Sequence, residues 1–303
     1  MRQVEAYTEE WLDARKSLVT ATDVVTLMDF NEYSSPADLW WYKKSGYQVP
    51  DNGFMWFGRS MEEPIAEKVR EITGRSFVDA KALFVSDKYP WLAATPDRVE
   101  LDDKNAFSAV LEIKTSQRHD AWGDFPAMYA YVQALTQSIV IEAPSINVGA
   151  CLYGHGEPKV LVYADLPRDE LMIEDIITLS YEFYESLKSD KPPGKFSYEV
   201  AKKAFRATTS KQKNLSPDAI EALARIKEMK KKVAMLYKDI EADSALVMQE
   251  LEDAEVGVFD GSIAVTWKET SATTIDVAAL RKIAPEVAVQ AERTSVSRRF
   301  LVK

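Results

Sequence analysis

Apolar positions along this chain recur at two periods, and the change of period divides it. Over the first 190 residues, helical and strand spacings alternate. Thr8 to Ser17 and Thr20 to Met28 read as short helices, and "SSPADLWWYKKSG" carries its own punctuation: Ser35 to cap, Pro36 for the first turn, Gly46 to close. In "GFMWFGRSMEEPIAEKVREITG", Met61, Ile65, Val69 and Ile72 fall on one helical face and Gly74 ends the run. Pro64 inside it predicts a kink or a later start. Strands follow at Leu83 to Val85, Trp91 to Ala94, Arg98 to Leu101 and Phe107 to Thr115. A helix from Pro126 to Glu142 presents Met128, Val132, Leu135 and Ile139. "SINVGACLYG" and "PKVLVYADL" then make a hairpin around Gly154-His155-Gly156, and a helix from Pro167 to Ser186 closes the unit.

Beyond Pro192-Pro193-Gly194 the texture changes. Ser216-Pro217 opens a long helix whose Ala219, Ala222, Ile226, Met229, Val233, Leu236, Ile240, Asp243 and Val247 are spaced by threes and fours, as in a coiled-coil seam. Asp243 interrupts the seam and predicts a bend or turn there. Asp260-Gly261 marks a two-residue hairpin between Val256 to Phe259 and Ser262 to Trp267. A short helix at Asp276 to Ile283 and a basic "SRRFLVK" end the chain. Strands enclosed by helices in this order give an α/β (α+β) core over residues 1–194 and a C-terminal extension over 195–303.

Of the 303 residues, 46% are hydrophobic and 28% charged, which excludes disorder for most of the chain. A single cysteine, Cys151, excludes a disulfide framework and a thiolate metal site. No stretch approaches the length of a membrane span or a signal peptide, so a reducing, cytoplasmic setting is expected, the host cytoplasm if the chain is phage-encoded. The net charge of -10 opposes general adhesion to nucleic acid. Lys191 to Lys213, with seven basic residues and one acidic, runs against that average as a solvated linker or a polyanion contact.

Candidate chemistry lies in "TPDRVELDDKNAFSAVLEIKTS". Strand alternation puts Val110, Glu112 and Lys114 on one face and Leu111 and Ile113 on the other. A turn placed symmetrically between Lys104 and Asn105 sets Asp97 opposite Glu112, where directly paired residues have Cβ atoms about 5 Å apart. Two carboxylates that close repel by about 3 kcal/mol at an effective dielectric of 20. A divalent cation offsets this, and hard oxygen donors in a chain with two histidines favour Mg2+ or Mn2+. Lys114 beside them suits orientation of a water and stabilisation of a phosphate, hence phosphodiester hydrolysis.

Pro96-Asp97 followed by Glu112-Ile113-Lys114 resembles the PD-(D/E)XK nuclease superfamily. Trp11, Arg15, Thr20-Ala21-Thr22, then Gly58 to Glu62, then Gln133 in "YAYVQALTQSIV" occur in the order typical of YqaJ-like viral recombinases, the group that includes lambda-type alkaline exonucleases. The resemblance implies a restriction-endonuclease-like core with a central mixed sheet flanked by helices. It implies that Asp97, Glu112 and the carbonyl of Ile113 hold the metal, and that Lys114 serves the attacking water. Glu62 would reach the site from its helix, Gln133 would hold the lysine or the substrate, and Arg15, Thr20 and Thr22 would face a phosphate at a DNA end. The activity implied is a metal-dependent exodeoxyribonuclease degrading duplex DNA from an end, 5′ to 3′, in phage-type recombination. A single-strand annealing protein and further copies of the chain are the implied partners. An endonuclease with the same site and an inactive DNA-binding or assembly module are the alternatives. Each residue also has a plain account: Glu62 as a solvated helix charge, Gln133 as a backbone cap, Arg15 as a partner of Asp13 or Glu10, His119 as a loop histidine, and Trp40, Trp41 and Tyr42 as core.

Overall fold

The computed structural model describes residues 1–206, 212–293, 298 and 300–302. Two compact units divide it, Met1–Ala204 and Phe205–Lys303. The first contains β1 (Arg2–Glu5), α1 (Glu9–Ser17), β2 (Val19–Thr20), α2 (Ala21–Leu27), α3 (Pro36–Ser45), α4 (Gly53–Thr73), β3 (Ala82–Val85), β4 (Leu92–Ala94), β5 (Arg98–Leu101), β6 (Phe107–Ser116), α5 (Met128–Ile141), β7 (Ser145–Leu152), β8 (Lys159–Tyr163), α6 (Glu170–Leu187) and α7 (Tyr198–Ala204).

Two four-stranded mixed sheets organise this unit, ordered β1-β3-β4-β2 and β5-β6-β7-β8. In the second, β6 pairs antiparallel with β5 and parallel with β7, and the parallel step requires the crossover that α5 provides. Helix α5 is apolar on nearly every side, so it is buried along almost its whole length. It covers one face of the sheet, where Val110, Ile146 and Val148 join Val132 and Leu135 in the main core. The opposite face belongs to α4, whose Ile65, Ala66 and Val69 pack on Leu111, Ile113 and Cys151. Gly149 permits that approach: a Cβ there would lie 2.9 Å from Val69 Cγ2 and 3.1 Å from Ile65 Cγ2.

Caps behave as their sequences require. Thr20 and Ser35 form capping boxes with Asp23 and Asp38, and Gly46 and Gly74 close α3 and α4 in the left-handed region. Helix α4 departs from expectation, starting at Asn52-Gly53 and continuing through Pro64 to Thr73 instead of starting late. Its packing against β6 and β7 holds the helix across the missing N–H. The stretch after Pro192-Pro193-Gly194 is not all connector, because α7 inserts Val200 into the fold and the Ser197 N–H donates to Asp38. Residues 207–211 of the basic run, and parts of "SRRFLVK", lie outside the described residues.

In the second unit, α8 (Pro217–Leu251) runs unbroken through Asp243, so no turn interrupts the helix there. Its seam residues Met229, Val233, Leu236 and Ile240 are exposed. Strands β9 (Val256–Phe259) and β10 (Ser262–Thr266) form the expected hairpin, with Asp260 and Gly261 both at positive φ as a type I′ turn requires. Two short helices follow, α9 (Val277–Ile283) and α10 (Pro285–Gln290). Among the described residues, no helix is long and apolar enough to cross a membrane.

Candidate active site

The site is built at the open end of the β5–β6 hairpin. Arg98 pairs with Leu111 and Val99 with Val110, so the next step outward sets Asp97 against Glu112. The turn itself is not symmetric about Lys104-Asn105. Asp102 and Ala106 close a three-residue tip, and an extra residue on β6, Ser108, restores the register between Glu100 and Leu101. Asp102 nucleates the tip by accepting the N–H groups of Lys104 and Ala106, and Ser108 fixes the bulge by donating to Glu100.

Asp97 Oδ2 accepts the Ile113 N–H at 2.8 Å. N–H and C=O of one strand residue point to the same side, so the Ile113 carbonyl also faces Asp97, beyond the last rung that β5 supplies. Glu112 is fully buried on the α5 face, as alternation requires. Its two oxygens are held separately: Lys114 Nζ donates to Oε1 and Gln137 Nε2 to Oε2. Lys114 also donates to Gln133 Oε1 at 3.1 Å. Gln133 and Gln137 are one turn apart on α5, so one helical face serves both charged members of the E-x-K triplet.

Electrostatics follow from this crowding. Burial, with the Asp97 charge next to it, pushes Glu112 up to about 8. Burial also raises Asp97. Lys114 is raised, because the charges of Glu112 and Asp97 outweigh its desolvation. Burial and then the charge of Asp97 raise Glu62. Among the described residues no three His, Cys, Asp or Glu side chains converge into a metal-binding group. The donor set is therefore two adjacent carboxylates and a free-edge carbonyl. That fits a small hard cation that keeps much of its water, as Mg2+ does, and the mutual repulsion of the two acids is what such a charge would relieve.

Arg98 and Gln137 were not anticipated from the sequence. Arg98 is buried beside Asp97: Nη1 donates to the Asp97 carbonyl at 2.7 Å and lies 3.6 Å from Glu62, while Nη2 binds Glu63 at 2.9 Å. It ties α4 to the loop that carries Asp97. Its signal was an arginine on a short strand otherwise set for burial. Gln137 had one too, a second glutamine at i+4 on an apolar helix, and its Oε1 is buried without a partner among the described residues. Burial raises Tyr129, in the first turn of α5, and the Lys114 charge opposes that rise.

The proposed phosphate residues divide. Trp11 Nε1 donates to Thr95 at 3.2 Å, two residues before Asp97, and the Arg15 guanidinium lies over the Trp11 ring at 4.5 Å. Arg15 is thus joined to the site through Trp11, whereas Asp13 pairs with Lys16 and Glu10 with Arg2. Thr20 is buried, its hydroxyl committed to the cap of α2, and only Thr22 of that pair is exposed. Trp40 is core, Trp41 packs against the core edge, and Tyr42 stacks on Tyr47. His119 lies in a turn next to His155, with Nε2 3.1 Å from the Tyr153 carbonyl.

Residues 10–140 match the YqaJ-like viral recombinase domain, the family that the ordered motifs resemble, and this span contains every site residue named above. Over 309 aligned positions the chain is 24% identical to the uncharacterized protein YqaJ of Bacillus subtilis strain 168, covering 97% of this chain and 94% of that one. Among solved structures, the alkaline exonuclease LHK-Exo of Laribacter hongkongensis aligns at 22% identity and a TM-score of 0.46, over 60% of this chain and 93% of its own. A phage-related exonuclease from Haemophilus somnus 129PT aligns at 12% identity and a TM-score of 0.41, over 57% and 96%.

Proposed function

We propose that this protein is a divalent-metal-dependent exodeoxyribonuclease that degrades one strand of duplex DNA from an end, 5′ to 3′, in phage-type recombination. One observation carries it: strand register brings Asp97, Glu112 and Lys114 into a single partly enclosed cluster, with Glu62 held nearby through Arg98. The matched recombinase domain supports the same class of activity. Polarity rests on the motif resemblance.

In this mechanism Asp97, Glu112 and the Ile113 carbonyl would hold Mg2+ or Mn2+. The cation, when bound, supplies Lewis acidity to an attacking water and to the scissile phosphate. Lys114 orients that water and counters the charge growing on the phosphate, and Gln133 fixes the ammonium in place. Arg98 holds Glu62 and Glu63 against the Asp97 loop, and Arg15, braced on Trp11, contacts a phosphate at the DNA end.

The test is timed digestion of end-labelled linear duplex and of covalently closed circles, with magnesium, with calcium and with chelator. End-dependent loss of the linear substrate with magnesium alone is expected, and Lys114→Ala should abolish it while retaining DNA binding. Digestion of closed circles would replace the end-directed mechanism with an endonuclease, and full activity of Lys114→Ala would remove the site.

A further inference from the structure

Lys202 and Lys203, two members of the basic run that the nuclease site leaves unused, lie on a built surface. Gly46, left-handed at φ +68, turns the chain at the end of α3 so that Tyr47 stacks on Tyr42, with centroids 5.7 Å apart and planes at 26°. Trp41 adds a ring at 5.5 Å from each. Lys203 of α7 lies over the Tyr47 ring at 4.6 Å, and among the described residues no carboxylate is within ion-pair distance of it. Beside it, Lys202 lies over Tyr198, a residue 69% exposed, and forms an exposed pair with Glu199 at 3.3 Å. Val200 and the Ser197 to Asp38 hydrogen bond fix α7 on α3, so rings and ammonium groups are held together. From Lys188 to Arg206 there are six basic residues and two acidic, in a chain of net charge -10.

We propose that this α3–α7 face binds single-stranded DNA. Aromatic faces accept bases of any sequence only when those bases are unstacked, and lysines set among the rings meet the backbone between them, the pairing used by single-strand binding grooves. A duplex hides its base faces and would use the lysines alone. The face adjoins the helix that carries Arg15: the Gly46 turn lies against the Lys16 side chain, and the buried Lys43 donates to the Arg15 carbonyl. A strand parted from its complement at the site is one source of the single strand that this face would take. Only the origin of that strand rests on the nuclease function proposed above; the binding does not.

Fluorescence anisotropy of the full chain with a labelled oligothymidylate, in chelator so that no cleavage occurs, separates the two. Replacing Tyr42 and Tyr47 together by alanine should weaken single-strand binding by about tenfold to a hundredfold, while replacing both by phenylalanine should retain it. Should the alanine variant fail to fold, the surface pair Lys202→Ala with Lys203→Ala decides: its salt slope should fall by about 0.7 per lost phosphate contact. Unchanged affinity and slope in these variants would overturn the proposal. So would an equal loss on blunt duplex, or tighter binding of an RNA of the same sequence.

Discussion

Replacing Glu112 by glutamine should make the metal-free protein more stable at alkaline pH while abolishing cleavage. A carboxylate that rises from 4.5 to about 8 on folding holds a proton in the native state that the unfolded chain has released. Stability from this group is complete below the unfolded pKa and is lost as pH climbs from there to the folded pKa, the reverse of a salt-bridged acid whose pKa is depressed. The span of roughly 3.5 units corresponds to a ceiling of about 5 kcal/mol. Asp97, also raised by burial, loses stability in the same direction. Lys114 is raised, so its contribution persists until pH passes the ordinary lysine range, above this window. Glutamine keeps the shape of Glu112 without the charge. Allowing for water entry and relaxation around the ionised acid, the variant should exceed the wild type by on the order of 2 kcal/mol at about pH 9 and by far less at about pH 5. Urea unfolding in chelator measures this through tryptophan fluorescence, since six of the seven tryptophans lie in the first unit. Parallel pH profiles for the two proteins, or cleavage by the variant with magnesium, would refute the crowded-acid account of the site.

Gln137→Leu strips Glu112 Oε2 of its donor, so a higher half-saturating magnesium concentration is expected, read by metal titration of tryptophan fluorescence as well as by cleavage. An unchanged metal affinity would make Gln137 mere filling. Gly149→Ala drives a methyl group into Val69 and Ile65 and should cost about 1–3 kcal/mol, seen as a lowered Tm, with cleavage reduced because α4 carries Glu62. Lys43→Met leaves Asp23 charged and buried where an ion pair of 2.7 Å had been, and should cost about 3–5 kcal/mol. Adding Asp23→Asn should recover much of that loss in the same thermal melt, and failure to do so would show that the lysine's bonds to the Arg15 and Leu18 carbonyls dominate.

What could be read from sequence was whatever depends on neighbours in the chain. Ser35, Pro36, Gly46 and Gly74 bracket helices by local chemistry, Asp260-Gly261 bends a hairpin, and the parity of β6 assigns Glu112 and Lys114 to one face before any fold is known. Strand β1 escaped notice because a short "RQVE" acquires its identity from pairing with β3. Between a kink and a later start at Pro64 the sequence could not choose for a similar reason, since packing on the sheet holds α4 on both sides of that proline. Within the site, Thr20 was misplaced: a threonine before a helix serves the phosphate or the cap equally well in sequence, and Asp23 three residues on selects the cap. Arg98 could not be assigned, because its partners Glu62 and Glu63 lie on a helix 35 residues earlier whose orientation only the packing decides.

The division of labour on β6 explains why so small a feature as Ser108 matters to the whole site. Odd positions Leu111 and Ile113 fill the α4 side, and even positions Val110, Glu112 and Lys114 face α5, where two glutamines on an otherwise apolar helix wait for the acid and the amine. A slip of one residue would bury Glu112 against Ile65 and Val69, which offer it no hydrogen bond, and would withdraw Lys114 from Gln133. The tip closed by Asp102 and Ala106 alone would instead set Asp97 opposite Leu111, on the α4 side. The bulge at Ser108 adds back the missing residue, so the paired acids depend on a hydroxyl at the far end of the hairpin, held by Glu100, which is held in turn by Arg75 at 2.6 Å. Register, more than any contact within the cluster, is what brings two like charges together in a place where neither would choose to be.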